Sequence, residues 1–326
     1  MPEAYTHLRC ARAGAKLAQY RPPNPVAFAA GANGPDMLFC YRCWRSGPKR
    51  GQDLPALGSR MHQENTGAFL QCLLSQARTP AQRSYAMGFL THYAADCVIH
   101  PYVAMISAPG QLYGKKGGHA YFEIGLDSWL HQKDTGDPAV TVSESCPRLV
   151  GAALAEVAML LQTAIRQTYG LEVTLEALVD AFHHTWYWRR SFVSRLRIKK
   201  GFFWLVEPLF GGRGRISGHF TPAPLYGTRP KDPKKLPEQW VDPFNGETVQ
   251  GGILELLEQA ERRSAAYLLT AQRYWEGQVQ LSRLQELLGS SSYETGLPDA
   301  RSLGQTHPLE QGAPGTGTEN MELQTV

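Results

Sequence analysis

The sequence predicts an all-α protein, and three observations predict it. Two long segments carry apolar residues at helical spacing: Leu149, Val150, Leu154, Val157, Leu160, Leu161 and Ile165 in one, Ile253, Leu256, Leu257, Ala260, Ala265, Leu268, Leu269 and Tyr274 in the other. No segment alternates apolar and polar residues as a half-buried strand does, and no internal repeat is found. The third observation is polar. Within residues 84–127, His92, Asp96 and His100 stand four residues apart, and His119 and Glu123 repeat the step. Side chains four apart share one face of a helix, so the first three form a stripe roughly 12 Å long. That is too long for one ion and suits two neighbouring ions, with Asp96 in the middle able to bridge. Imidazole and carboxylate are the ligands expected for zinc or a similar divalent metal. A single helical histidine is most often a hydrogen-bonded core or surface residue, and a histidine–carboxylate pair is often a weak surface ion pair. Here the neighbours are apolar: Phe89, Leu90, Tyr93, Ala94, Ala95, Val98 and Ile99. Burying the polar groups among them costs several kcal/mol unless they are paired or hold a metal. The expectation is a multi-helix bundle with a polynuclear metal site in its core.

Length and composition allow one large domain or two small ones: 326 residues, 43% hydrophobic and 19% charged, are ordinary for a soluble globular protein. The formal charge of +4 is no argument for nucleic acid by itself. No apolar run reaches the roughly 18 residues that span a bilayer. The start of the chain lacks the charged lead and continuous apolar core of a signal peptide, so the expected location is cytoplasmic. The six cysteines, Cys10, Cys40, Cys43, Cys72, Cys97 and Cys146, are then expected as thiols. Cys40 and Cys43 form a lone C-x-x-C with no second half, read as helix packing ahead of a metal or redox site.

In order, residues 3–20 read as an amphipathic helix with His7 in its first turns, broken by Pro22, Pro23 and Pro25. Asp36 ends a turn cluster and can cap a helix beginning at Met37. Residues 45–58 read as a polar loop, and a helix is expected over 59–77, with His62 near its start. Pro80 opens the central helix, about 80–106, which Pro101 is expected to kink or break. A Gly-rich loop, 114–118, leads into a helix from His119 to about Leu130. Helices follow over 148–169 and 174–198, the second running into a basic, aromatic stretch that ends near Trp204. Residues 205–250, with many Pro and Gly, read as an extended loop, and 251–289 as the last helix. The domain is expected to cover 1–289, with a disordered polar tail over 290–326.

Three more candidate ligands lie upstream: His7, Asp36 and His62. The order is then His, Asp, His, followed by H-x3-D-x3-H and H-x3-E. With these residues the sequence resembles the zinc-dependent phospholipase C family, the bacterial phosphatidylcholine-cleaving enzymes and their alpha-toxin relatives. The pieces that carry the resemblance are Thr6-His7-Leu8, Gly34-Pro35-Asp36, Met61-His62, Thr91-His92 with Asp96, His100-Pro101, and Gly118-His119 with Glu123. The segment from Trp240 to Gly246 looks like a further family feature. The resemblance implies two to three zinc ions per chain. Asp36, His62, His92 and Asp96 would hold the first, His100, His119 and Glu123 the second, and His7 with the shared Asp96 a third. In the secreted enzymes the third metal is completed by the amino group and carbonyl of a mature N-terminal tryptophan. This sequence instead starts Met1-Pro2, a few residues before His7. The amine of Met1 or Pro2 takes that place, or the third site is weaker or missing.

Two metals about 3.5–4 Å apart can lower the pKa of a bridging water and hold the oxygens of a phosphate. Asp36 is the candidate to orient that water as general base, with ligation alone as its other reading. The reaction class is hydrolysis of a phosphate ester. By resemblance the substrate is a phospholipid, cleaved to a diacylglycerol and a phosphorylated head group. The stretch from Trp186 to Trp204, with its Arg and Lys residues, reads either as a peripheral contact with an anionic membrane or as a solvated basic face. Two other functions stay open. One is a zinc-dependent nuclease or other phosphoesterase on the same scaffold, for which Tyr93, Tyr113, Tyr121 and Phe122 offer stacking surfaces. The other is a non-catalytic protein whose metals only staple the helices.

Overall fold

A computed structural model describes residues 4–45, 47, 51–210, 216–228 and 235–299. The helices are α1 (Ala4–Leu17), α2 (Pro25–Gly31), α3 (Leu54–Gln63), α4 (Thr66–Gln76), α5 (Pro80–Ile106), α6 (Gly118–Thr135), α7 (Val142–Ser145), α8 (Gly151–Tyr169), α9 (Leu175–Ser191), α10 (Ile198–Val206), α11 (Ile253–Trp275) and α12 (Leu281–Leu288). Short 3-10 turns cover Gly34–Cys40, Glu207–Phe210 and Ser217–His219. The fold is all-α, as the sequence predicts. Its one sheet among the described residues is a small antiparallel hairpin, β1 (Gln239–Val241) with β2 (Thr248–Gln250), which pairs Trp240 with Val249. It stands inside the stretch expected to be extended loop, and the buried Trp240 ring pins it edge-on to Tyr102 of α5.

Helix α5 is the axis of the molecule. Thr79 caps it, with Gln82 completing a reciprocal capping box and Pro80 in the first turn, where no amide hydrogen is needed. It packs against α2, α11 and α1, and nearly every side chain along it is buried. Its approach to α2 is close enough that a Cβ on Gly88 would lie 2.1 Å from the Phe28 carbonyl, and one on Gly31 would lie 2.1 Å from the Tyr85 carbonyl. Apolar residues of α5 feed two clusters. Tyr85, Phe89, Leu90 and Tyr93 join the one built with α2, α4, α8 and α9. Ala95, Ile99, Tyr102 and Val103 join the one built with α6, the hairpin and the start of α11.

Pro101 does not end the helix: α5 runs through it to Ile106. The carbonyl of Cys97, which Pro101 leaves without its helical amide, faces Gly296, where a Cβ would come within 2.4 Å of that oxygen. Residues 290–299, assigned by composition to the polar tail, thus pack on the core: Tyr293 is 1% exposed, and the Ser291 amide donates to the Tyr93 hydroxyl. The rest of the expected tail, 300–326, lies outside the described residues.

Other boundaries differ for local reasons. The helix expected over 59–77 is two helices, split where Asn65 takes a left-handed φ of 53°. The helix expected over 251–289 is divided into α11 and α12 by a turn at Gly277. Leu269 and Val150, assigned to apolar stripes, are exposed. The six cysteines are free thiols. No helix among the described residues is long and apolar enough to cross a membrane.

Candidate metal centre

Five segments bring the candidate ligands to one place. α5 supplies the stripe: His92 Nε2 lies 2.9 Å from Asp96 Oδ2, and His100 Nε2 lies 3.6 Å from Asp96 Oδ1. α1 adds His7, whose Nε2 is 3.2 Å from Asp96 Oδ1. The 3-10 turn at 34–40 adds Asp36. Asp36 is not the cap of that turn, since Asn33 holds the cap position. Its buried carboxylate instead meets His62 of α3, Oδ1 to Nε2, at 3.1 Å. The turn can sit here because residue 34 is glycine at φ 51°: a Cβ would stand 2.0 Å from the His92 ring. α6 adds Glu123, whose Oε1 is 3.6 Å from His100 Nε2 and 3.2 Å from His119 Nε2.

Asp96 is the hub. Its Oδ1 faces His7 and His100, and its Oδ2 faces His92 and, at 3.9 Å, His62. All eight predicted residues converge, and three groups among them bring their ligating atoms within 4.8 Å of one another: His7, Asp36 and His92; His62, His92 and Asp96; His100, His119 and Glu123. His7, Asp36, His62, His92, Asp96, His100 and Glu123 are buried. His119 is the exception, its side chain 45% exposed, so the cluster opens on that side. The amines of Met1 and Pro2, considered above as ligands, lie outside the described residues.

Backbone carbonyls aim two of the imidazoles. His62 Nδ1 donates to the Gly58 carbonyl at 2.7 Å, and His92 Nδ1 donates to that of Ala32 at 3.3 Å. Each ring then turns Nε2 toward the carboxylates, the arrangement that orients a ligating histidine. Asp36 Oδ2, His92 Nε2, Asp96 Oδ2, His100 Nε2 and both oxygens of Glu123 are buried without a hydrogen-bond partner. Orphaned polar atoms are rare in folded proteins, and here they are lone pairs converging from nitrogen and oxygen. The donor set fits divalent cations of the zinc type.

The electrostatics agree. Burial alone would raise the Asp96 carboxyl, but His92, His100 and His7 hold it well below the usual range. Asp36 is likewise lowered against burial, by the charge of His92 and the bond from His62. Glu123 is lowered against burial by His119. Burial pushes His92 down, toward the neutral imidazole a metal needs. For His62 burial also opposes charge, yet the Asp36 bond and charge prevail and lift it to about 9.

Two residues that shape the centre were not picked out from the sequence. Asp127 sits one more four-residue step beyond His119 and Glu123, so the spacing carried a signal. Its carboxylate accepts the Tyr5 and Thr6 amides and the Thr6 hydroxyl, which fixes the first turn of α1 and hence His7. Burial pushes its pKa up to about 6, against those three bonds. Tyr293 packs its ring 5.2 Å from that of His62 and 5.8 Å from that of His92, and its amide donates to the His62 carbonyl. Only the fold brings it there.

The cluster itself lines a small cavity bounded by His7, Asp96, His100 and Glu123. Beside it lies a larger, mainly apolar cavity of about 460 Å³, lined by Phe39, Ile124, Asp127, Trp188, Phe192 and His219 among others. Phe39, in the lining of the larger cavity, holds its ring 5.4 Å from that of His62. Cys40 and Cys43 line this second cavity, and neither belongs to the three ligating groups.

The sequence model of one protein family, described as zinc dependent phospholipase C, matches residues 6–171. That span contains all eight clustered residues. Neither the curated proteins nor the solved structures include a match to the chain.

Proposed function

The chain belongs to the zinc-dependent phospholipase C family, and from that membership we propose that it is a phosphodiesterase, cleaving a phospholipid between the glycerol oxygen and phosphorus. The observation that carries this reading is the set of buried, unpartnered lone pairs around Asp96, which opens at His119 and adjoins an apolar cavity. A purely structural site would be closed by its ligands, whereas this one has an open side.

Asp36, His62, His92 and Asp96 would hold one ion, and His100, His119 and Glu123 a second. His7 with Asp96 would hold a third. The ligating groups around His62 and around His100 support the first two assignments, and the 3.2 Å approach of His7 to Asp96 supports the last. Bound there, zinc ions supply Lewis acidity, lowering the pKa of water and offsetting phosphate charge. The chain's own residues do the rest. Asp36, with Oδ2 buried and unpartnered, accepts the proton of the attacking water. The water oxygen bonds to phosphorus as the bond from phosphorus to the glycerol oxygen breaks. That oxygen takes up a proton and leaves as the hydroxyl of diacylglycerol. The apolar cavity beside Phe39 gives the lipid portion a place out of water.

The test is elemental analysis of the purified protein, followed by a panel of phosphatidylcholine, other phospholipids, a soluble phosphodiester and single-stranded DNA. Two or more zinc ions per chain with release of a phosphorylated head group is expected. Cleavage of DNA with no lipid hydrolysis would assign the nuclease reading instead.

A further inference from the structure

Helix α10 is built unlike the others. None of its nine residues is buried. Ile198, Phe202 and Leu205 fall at i, i+4 and i+7 on one face and are 71%, 61% and 68% exposed. Leu196 just before the helix and Leu209 just after it are 82% and 80% exposed. The opposite face holds α10 to the body. Phe203 stacks on Phe220, Lys199 donates to the Ser191 and Val193 carbonyls, and Lys200 donates to those of Phe220 and Pro222. The helix is thus anchored by its basic side and turns its apolar side outward. Leaving such a face in water is unfavourable, and contiguous apolar patches of this kind mark interaction surfaces.

We propose that the outward face of α10 docks on an anionic phospholipid bilayer and seats the open side of the metal centre against it. Charge identifies the occupant. The 26 residues 181–206 hold no carboxylate, and four of their cations, Arg190, Arg195, Arg197 and Lys199, are exposed, Arg195 beside Asp137. Apolar and aromatic side chains flanked by Lys and Arg are what an interfacial helix presents to anionic lipid. A helix of nine residues is about 13 Å long and lies in the interface without spanning it. Position supports the same partner. The Lys200 ammonium sits 5.5 Å over the ring of Tyr121, which stands on α6 between His119 and Glu123. The anchoring side of α10 therefore packs against the helix that carries the exposed His119. The docking face does not depend on the proposed chemistry, and metal-free protein should bind as well.

The experiment is co-sedimentation of the full chain with vesicles of phosphatidylcholine alone and of phosphatidylcholine with phosphatidylglycerol. Wild type is compared with Phe202→Ala/Leu205→Ala and with Arg197→Glu, all exposed positions outside the metal cluster. The expected result is binding to the anionic vesicles, weakened roughly tenfold or more by the apolar double variant. Arg197→Glu and added salt should weaken it too. Hydrolysis of a soluble phosphodiester should be unchanged in both variants. Equal vesicle binding by wild type and the double variant, or no binding by either, would overturn the proposal. So would a wild-type dimer in sedimentation that the double variant dissolves, because the face would then belong to a second copy of the chain.

Discussion

Asp127 accepts the Thr6 amide at 2.8 Å and the Thr6 hydroxyl at 2.5 Å, so a carboxylate of α6 clamps the first turn of α1 one residue before His7. A helix N-terminus has unpaired amides that a carboxylate satisfies well. Asp127→Ala would leave the Tyr5 and Thr6 amides buried and unpaired, at a cost of about 1–3 kcal/mol for each group. The variant should unfold at lower denaturant and lose the ion next to His7 first. Paired denaturation curves and metal counts check this; an unchanged midpoint with full metal content would mean that Asp127 does not position His7.

Asp96 faces four histidines at once. Asp96→Asn substitutes a neutral amide oxygen, a poorer ligand, and should loosen more than one ion. His183→Ala, outside the cluster, should keep the wild-type metal content. Equal metal loss from both variants would show that Asp96 is not shared between sites.

The lifted pKa of His62 gives a pH dependence. A folded value of about 9, above the unfolded value of about 6.5, means that protonated His62 stabilises the metal-free fold fully below about pH 6.5. That contribution is lost as pH rises through about 9, a change on the order of 3 kcal/mol. Zinc needs the neutral ring, so binding near pH 7.5 should expel about one proton from His62 and tighten as pH rises. Calorimetry in two buffers of different ionisation enthalpy measures that release. Heats that do not depend on the buffer would contradict it.

Tyr293 seals the cluster from the side of α12, fully buried against His62 and His92. Tyr293→Ala removes a buried aromatic ring, a loss of about 3–5 kcal/mol, and opens the site to water. Thermal unfolding with and without zinc should show a lower transition in both states and a smaller rise on adding zinc. A transition within a degree or so of wild type would mean that residues 290–299 contribute little.

The candidate metal ligands were legible in the sequence because helical spacing made them so. His92, Asp96 and His100 needed only the four-residue step, and His119 with Glu123 repeated it. His7, Asp36 and His62 became legible through their order along the chain. Asp127 was within reach of the same rule but carries no metal-ligand pattern of its own. Tyr293 was hidden because a polar, Gly-rich composition reads as tail, and its packing depends on Gly296 fitting against the Cys97 carbonyl. Pro101 misled for a related reason. Its missing amide predicts a break, but the tertiary contact at Gly296 covers the carbonyl it leaves. The hairpin around Trp240 is three residues per strand, too short for alternation to show.

The most direct measurement is hydrolysis of phosphatidylcholine in 18O-labelled water by the zinc-loaded protein, with products resolved by mass spectrometry. Attack at phosphorus predicts diacylglycerol without label and a phosphorylated head group carrying one 18O, abolished by a chelator and restored by zinc. Label in the lipid product, or no hydrolysis of any phospholipid by protein shown to hold its zinc, would contradict a phospholipase C reaction at the Asp96 cluster.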